Sequence, residues 1–211
     1  MKKRSIILPV CFLMAFLLWT ILVCFADVKQ IGPNGSSVGL ATVNGFTHKL
    51  FGVNMGLYVI TDWLGLVPVG FMFGFAVLGL IQWIKRKGIS KVDRSILLLG
   101  AFYILVLAAY LLFEEFVVNY RPVLINGYLE ASYPSSTTML VMCVIPTSIM
   151  QLRTRIQKKS VRNIVCFMLA AFVVFMVIGR LISGVHWLSD IIGGALISAG
   201  LDLLYKSVAY A

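Results

Sequence analysis

The chain has 211 residues, of which 60% are hydrophobic and only 12% are charged, and its mean hydropathy is +0.97. Soluble domains carry roughly 25% charged residues. This composition therefore excludes an ordinary soluble enzyme and predicts a multipass membrane protein. The formal net charge of +10 would indicate nucleic-acid binding in a soluble protein. Here its distribution along the chain favours membrane topology instead, and we expect no nucleic-acid partner.

Six apolar segments predict an all-α bundle of six transmembrane helices. Each segment reaches or approaches the roughly 20 residues that a helix needs to cross a bilayer. In chain order they cover roughly residues 5–26, 55–84, 95–117, 136–152, 163–179 and 187–205. No linker or repeat is visible, so we expect residues 1–211 to form a single integral-membrane domain. The cysteines lie inside these segments without metal-site spacing, and we expect neither a disulfide nor bound zinc.

The basic residues between the apolar segments fall alternately on two sides. One side receives 14 of the 18, namely Lys2, Lys3, Arg4, Lys85, Arg86, Lys87, Lys91, Arg94, Arg153, Arg155, Lys158, Lys159, Arg162 and Lys206. The other side receives Lys29, Lys49, Arg121 and Arg180. Because cytoplasmic loops carry the excess of lysine and arginine, we expect both termini in the cytoplasm of a plasma-membrane protein. A cleaved signal peptide is the alternative for residues 1–26, but its apolar run of about 20 residues is long.

The outer side collects the polar residues that stand out in this apolar chain. His186 and Asp190 are four residues apart, so on a helix they would share one face. The carboxylate could accept the proton of one imidazole nitrogen and leave the other free to attack an electrophile. Arg180 precedes the histidine by six residues, and its planar donors suit a phosphate. Topology brings Arg121 and a Ser/Thr cluster to the same membrane face, which predicts one site there.

These residues resemble the pattern of the type 2 phosphatidic acid phosphatase superfamily, integral-membrane lipid phosphatases related to vanadium haloperoxidases. The pattern has three parts: Lys, six residues, Arg-Pro; then Pro-Ser-Gly-His; then Ser-Arg, five residues, His, three residues, Asp. Arg180, His186 and Asp190 match the third part, with Gly179 in place of the serine. The first two parts are matched by Arg121-Pro122 and by Pro134-Ser135. The resemblance covers about residues 55–205.

The resemblance implies a metal-free lipid phosphatase without a cofactor, and we expect no bound vanadate. His186 would attack phosphorus and form a phosphohistidine, while Asp190 would fix its tautomer. Arg121 and Arg180 would bind the phosphoryl oxygens and offset charge in the transition state. Further donors at a helix N-terminus would come from Ser135, Ser136 and Thr137.

A departure in the second part of the pattern bears on the substrate. Thr137 replaces the histidine that is thought to protonate the leaving oxygen in the family. Losing a general acid typically costs about 10²–10⁴ in rate. A diphosphate needs little protonation, since its leaving phosphate has a pKa of about 6. The sequence therefore favours a polyprenyl diphosphate of the cell-envelope lipid carrier cycle, with phosphatidate or phosphatidylglycerophosphate as alternatives.

A departure in the first part leaves other hypotheses open. Glu114 replaces the family lysine and removes a positive phosphate ligand, which favours a non-catalytic lipid-phosphate binder or transporter as the competing function. Glu114 or Glu115 could instead supply a proton if burial raised its pKa. Asp62 lies within the second apolar segment, where it either orients a basic residue of the site or hydrogen-bonds a neighbouring helix. The sequence identifies no partner for Glu115 or Glu130 and no oligomeric state.

Overall fold

A computed structural model describes residues 6–210, which form eight α-helices and two short 3₁₀ turns. The helices are α1 (Ile7–Phe25), α2 (Ala41–Phe51), α3 (Met55–Leu64), α4 (Leu66–Arg86), α5 (Arg94–Glu115), α6 (Ser136–Arg155), α7 (Lys159–Ile182) and α8 (Leu188–Ala209). Strand pairing in this part of the chain is limited to three isolated bridges. The predicted all-α fold is confirmed. The basic residues Lys2, Lys3 and Arg4 of the predicted topology lie outside the described residues.

Five helical segments between residues 6 and 210 are long and apolar enough to cross a membrane. They are α1, α3 with α4, α5, α7 and α8. The predicted multipass membrane architecture is confirmed at this level. The fourth predicted segment is the one outside this set, and it forms α6, a 20-residue helix with several buried polar residues that packs against α4, α5, α7 and α8. Three points remain predictions: that the chain crosses the membrane six times, that both termini are cytoplasmic, and that the site faces the outer side.

The second apolar segment consists of two helices rather than one. The side chain of Asn54 caps α3 by accepting a hydrogen bond from the Leu57 amide at 2.9 Å. Pro68 lies in the first turn of α4, where its missing amide hydrogen does no harm but its ring prevents an unbroken helix from α3. The break occurs at Gly65. It leaves α3 packed along α7, which places Asp62 beside the end of α7.

Helix α8 lies at the centre of the bundle and packs against α1, α5 and α6. Small residues on α8 allow this close approach: a Cβ on Gly193 would lie 2.6 Å from the ring of Tyr133. The Tyr133 ring also stacks on Phe16 of α1, and its hydroxyl lies 2.7 Å from Thr20 Oγ1. The connection between α5 and α6, which carries Tyr133, is thereby fixed against both α1 and α8.

A polar network joins α4, α5, α6 and α8 at the opposite end of the bundle. Asp93 precedes α5 and forms ion pairs with Arg86 at 2.8 Å and Arg155 at 3.3 Å. Gln151 accepts a hydrogen bond from Arg155 and donates one to the Tyr205 hydroxyl at 2.5 Å. The hydrogen bond from Arg86 is the largest of the effects that lower the pKa of Asp93. This network therefore contains an ionised carboxylate that is held by two arginines.

Candidate active site

The turn between α7 and α8 presents His186, which is 3% exposed. Gly184 in this turn has φ +68°, and a Cβ at this position would overlap the carbonyl oxygen of Gly52. Only glycine suits both demands. The Asn54 amide donates to the Ser183 carbonyl at 3.0 Å and fixes the turn against the start of α3. The segment between α2 and α3 therefore holds the turn that carries His186.

Ser132 lies between His186 and Asp190. The histidine Nδ1 is 3.0 Å from Ser132 Oγ, and this hydroxyl donates to Asp190 Oδ2 at 2.5 Å. The direct distance from Nδ1 to Oδ2 is 3.8 Å, which is too long for a hydrogen bond. The predicted direct contact between the carboxylate and the imidazole is therefore replaced by a contact through Ser132. Because the serine proton points to Asp190, the serine oxygen accepts from Nδ1–H, and Nε2 keeps its lone pair.

Asp190 is fully buried and surrounded by donors. Its Oδ2 accepts from the Trp187 amide at 2.9 Å, and its Oδ1 accepts from Ser189 Oγ at 3.2 Å and from Asn119 Nδ2 at 3.5 Å. Asn44 of α2 in turn donates to Ser189 Oγ at 2.9 Å and accepts from the Ser189 amide at 3.0 Å. These contacts satisfy the buried carboxylate without using the histidine.

Arg121 approaches His186 from the side opposite Ser132. Its Nη1 is 3.4 Å from His186 Nε2, and its side chain is 10% exposed. The loop returns on itself here, since the Arg121 amide donates to the Glu130 carbonyl at 3.0 Å. The Glu130 carboxylate, which had no predicted partner, lies 3.1 Å from Arg121 Nε. Arg121 is thus directed at the nitrogen that the sequence predicts as the nucleophile.

Arg180 occupies the last turns of α7 and is 1% exposed. Its Nη1 lies 3.5 Å from Asp62 Oδ1 and donates to Thr61 Oγ1 at 3.4 Å. Its guanidinium carbon is 5.0 Å from the centroid of the Tyr58 ring, within cation–π distance. Of the two hypotheses for Asp62, the structure supports the one in which it orients a basic residue. The buried Nε of Arg180 has no hydrogen-bond partner among residues 6–210.

The charge state of His186 follows from its surroundings. Burial, followed by the positive charges of Arg121 and Arg180, holds the pKa of His186 well below 6.5. The imidazole is therefore neutral near pH 7, with the Nε2 lone pair facing a guanidinium. A neutral nitrogen nucleophile beside two buried cations suits an anionic electrophile, and a phosphoryl group is the common example in biology.

The predicted Ser/Thr cluster divides between two roles. Ser135 is buried and caps α6, accepting from the Thr138 amide at 3.4 Å, while its own amide donates to the Asp190 carbonyl at 3.0 Å. Ser136 and Thr137 instead line a cavity of about 300 Å³ between α3, α4, α5 and α6. Ser135 therefore supports the backbone around Asp190, and its hydroxyl is already used by the helix cap.

Glu114 is exposed in the last turn of α5 and lines a small cavity together with Tyr110, Ser132 and Ser136. Within residues 6–210 it forms no ion pair with Arg121 or Arg180, whose partners are Glu130 and Asp62. Glu115 is exposed as well. The predicted role of either residue as a proton donor depends on burial, and both residues are exposed.

An apolar groove leads away from this end of the bundle. The 300 Å³ cavity carries Asp62, Tyr110, Ser136 and Thr137 on one side and apolar side chains of α4, α5 and α6 on the other. It shares Val69 and Leu107 with a larger cavity of about 650 Å³ between α4 and α5. The larger cavity is lined almost entirely by apolar residues and extends to Gly79 and Ile96. The groove therefore runs from polar residues beside Asp62 to an apolar space between α4 and α5.

The sequence patterns did not identify four polar residues of the site: Ser132, Asn119, Asn44 and Ser189. Ser132 and Asn119 lie in the same predicted outer segment as Arg121, so their polarity and their position in that segment could have identified them. Asn44 comes from the preceding predicted outer segment and reaches Ser189 only because α2 packs on α8. That packing has no signature in the spacing of the residues.

The bundle and the site define a class of protein, namely a membrane protein with a buried neutral histidine that lies against one arginine, feels the charge of a second buried arginine, and is linked through a serine to an aspartate. A sequence model of the PAP2 superfamily matches residues 113–211, the part of the chain that carries most of this site. The resemblance to the type 2 phosphatidic acid phosphatase superfamily is thereby confirmed.

The fold is also similar to a solved structure. It is the crystal structure of the first transmembrane PAP2 type phosphatidylglycerolphosphate phosphatase from Bacillus subtilis. The two chains are 19% identical, the match covers 94% of each, and the TM-score is 0.57. At this identity the likeness concerns the fold. No curated protein is significantly similar to the chain in sequence.

Proposed function

We propose that this protein is a metal-independent lipid phosphatase that removes a phosphate from a membrane lipid through a phosphohistidine on His186. The observation that carries the proposal is the position of the neutral Nε2, 3.4 Å from Arg121 Nη1 and linked through Nδ1 and Ser132 to a buried carboxylate. The family match over residues 113–211 supports the same chemistry.

In the first step Nε2 of His186 attacks phosphorus, a P–N bond forms, and the P–O bond to the lipid leaving group breaks. The imidazole becomes positively charged, and Ser132 transmits the stabilising effect of Asp190 by accepting from Nδ1–H. In the second step water attacks phosphorus, the P–N bond breaks, and its electron pair returns to Nε2. The water proton leaves with inorganic phosphate or passes to solvent.

The two arginines would bind the phosphoryl oxygens in place of their present carboxylate partners. The side chains of Glu130 and Asp62 are 41% and 57% exposed, whereas those of Arg121 and Arg180 are 10% and 1% exposed. Ion pairs to such exposed carboxylates are worth roughly 0–1 kcal/mol. A phosphate with two or more charged oxygens competes well with them, because it can accept from both guanidinium groups.

The apolar groove supports a lipid as the substrate. It begins beside Asp62, Ser136 and Thr137 and continues between α4 and α5 through the shared residues Val69 and Leu107. A hydrocarbon tail in this groove would leave its phosphate at the polar end. The 650 Å³ of the inner cavity suits a long tail, because its almost wholly apolar lining presents few polar groups that a hydrocarbon chain would leave unpaired.

A polyprenyl diphosphate is the substrate that we favour. Thr137 provides no effective general acid, and Glu114 and Glu115 are exposed, so the leaving group should need little protonation. Phosphatidate and phosphatidylglycerophosphate are the alternatives; the second is the substrate in the name of the Bacillus subtilis protein. A non-catalytic lipid-phosphate binder or transporter is the competing function, because Glu114 stands in place of a cationic ligand.

Phosphate release by the purified protein in detergent, with chelator present, tests the proposal. We expect release from a polyprenyl diphosphate to exceed release from phosphatidate and phosphatidylglycerophosphate, and vanadate to inhibit it. His186→Ala should abolish release, whereas the control Arg155→Ala, which alters a basic residue at the opposite end of the bundle, should not. Release that survives His186→Ala would contradict the mechanism, and bound lipid phosphate without release would support the binder.

A further inference from the structure

A second charged cavity lies at the end of the bundle opposite His186. It occupies about 580 Å³ between the last turn of α6 and the first turns of α7. Its lining residues are Arg153, Arg162, Asn163, Cys166, Phe167 and Ala170. Two guanidinium groups and an amide therefore share a pocket whose remaining wall is apolar.

The two arginines of this cavity are not used to hold the fold together. Arg155, in the same basic run, is bound by Asp93 at 3.3 Å and by Gln151. Arg153 and Arg162 form no ion pair with any residue from 6 to 210. Their charges are left uncompensated beside an apolar wall, and a pocket of this kind attracts an anion that carries a hydrocarbon part.

The position of the cavity along α7 matches the depth of a lipid headgroup. Arg162 precedes Arg180 by 18 residues on one continuous helix. At 1.5 Å per residue this separation is about 27 Å, close to the hydrocarbon thickness of about 30 Å. If Arg180 lies at one headgroup layer, Arg162 lies at the other. Phe167 and Ala170 follow one to two turns deeper, where an acyl chain would run.

We propose that this cavity binds the headgroup of an anionic phospholipid from the leaflet opposite the His186 site. The phosphodiester would accept from Arg153 and Arg162, the Asn163 amide would donate to a headgroup oxygen, and one acyl chain would lie along Phe167 and Ala170. Basic pockets between transmembrane helices are suited to anionic headgroups. The proposal does not depend on catalysis and holds equally for a protein that only binds lipid phosphate.

Binding of short-chain phosphatidylglycerol to the full-length protein in detergent tests this proposal. Phosphatidylglycerol is a phosphodiester without a terminal phosphate, and substitutions confined to the end of the bundle opposite His186 report its binding at this cavity. We expect Arg153→Ala/Arg162→Ala to weaken binding about 30-fold, or about fivefold per arginine. Lys85→Ala/Lys91→Ala removes two exposed charges outside the cavity and should change binding less than about twofold.

A second variant tests the apolar wall of the cavity while both arginines stay in place. Ala170→Trp fills the apolar wall without removing either arginine, and it should displace phosphatidylglycerol while phosphate release at His186 continues. Equal losses in the arginine and lysine variants would overturn the proposal, because they would show a diffuse surface effect. Equal binding of phosphatidylcholine, or competition by inorganic phosphate at the concentration of the lipid, would overturn it as well.

Discussion

The bundle carries one charged polar cluster at each end, and the two differ in what they leave unpaired. The Asp93 cluster consists of Asp93, Arg86, Arg155, Gln151 and Tyr205. The His186 cluster consists of His186, Ser132, Asp190, Arg121 and Arg180. In the Asp93 cluster the carboxylate bonds directly to both arginines and no buried side-chain atom lacks a partner. In the His186 cluster the buried carboxylate bonds to a serine, the Nε of Arg180 has no hydrogen-bond partner, and Arg121 Nε meets only the Glu130 carboxylate.

This difference distinguishes a cluster that stabilises the fold from one that is prepared to bind. A carboxylate placed between two arginines neutralises them and leaves little for a ligand. At the His186 end, Asp190 is turned toward Ser132 and backbone donors, while the two buried arginines share no carboxylate and each meets only one, Glu130 or Asp62. Removable partners preserve the positive potential of a buried site.

Among the residues that surround His186, the largest expected effect comes from Arg180→Ala. Removing a buried cation that stabilises developing charge typically costs about 10²–10³ in kcat. Arg180 is 1% exposed, so the substitution leaves a void and should also lower the melting temperature, but the loss of kcat should far exceed the fraction of protein that unfolds at the assay temperature. The measurement is phosphate release beside thermal unfolding. A large loss of stability with nearly normal kcat would show that Arg180 stabilises the fold, as the residues of the Asp93 cluster do.

Ser132→Ala should give the next largest effect. Loss of a buried hydrogen bond to a charged group corresponds to about 10- to 100-fold in kcat, with KM nearly constant. Ser132→Thr keeps the hydroxyl and should restore much of the activity. In the double variant Ser132→Ala/Asp190→Asn the two losses should not add, because both changes interrupt one path. Full additivity would show that Asp190 acts on His186 without the serine.

The pH dependence of turnover should follow from the neutral His186. Burial and the two arginines hold its pKa well below 6.5, so the nucleophile stays unprotonated and the rate at about pH 6 should remain close to that at about pH 7.5. Arg121→Met removes one positive charge and should move the acid limb to higher pH. An acid limb that is unchanged in this variant would contradict the electrostatic role of Arg121.

The same shift has a consequence for stability. Below about pH 6.5 the histidine of the unfolded chain takes up a proton that the folded chain does not. The free energy of unfolding should therefore decrease as the pH is lowered below this value. Denaturant titrations of the wild type and His186→Ala measure this effect. The difference in pH slope between the two proteins should appear only below about pH 6.5.

The smallest expected effect on turnover is that of Arg155→Ala in the Asp93 cluster. Its ion pair with a carboxylate that is 38% exposed contributes at most about 1 kcal/mol after solvent screening. We expect a lower melting temperature and phosphate release within about twofold of the wild type. Thermal unfolding and turnover measured on the same preparation provide the check. A collapse of kcat with unchanged stability would erase the distinction between the two clusters.

Much of this architecture follows from the sequence because hydropathy and spacing are local signals. The apolar runs predict the long helices, and the spacing of Arg180, His186 and Asp190 predicts the part of the site built on α7 and α8. Gly65 and Pro68 interrupt the second apolar run, a break that hydropathy alone does not reveal.

The remaining parts of the site depend on long-range packing. Ser132 reaches the space between His186 and Asp190 because the loop before α6 turns back at Asn119 and Arg121. Asp62 reaches Arg180 because α3 packs along α7. Such contacts join residues that are far apart in the chain, and no periodic pattern encodes them.

The most direct test of the central claim is to trap the covalent intermediate. Protein mixed with a polyprenyl diphosphate would be quenched under alkaline conditions, in which a phosphoramidate survives, and the phosphoryl group would be located by peptide mass spectrometry. We expect it on His186 in the wild type and on no residue in His186→Ala. A phosphoryl group on another residue, or turnover by His186→Ala without any adduct, would contradict the account.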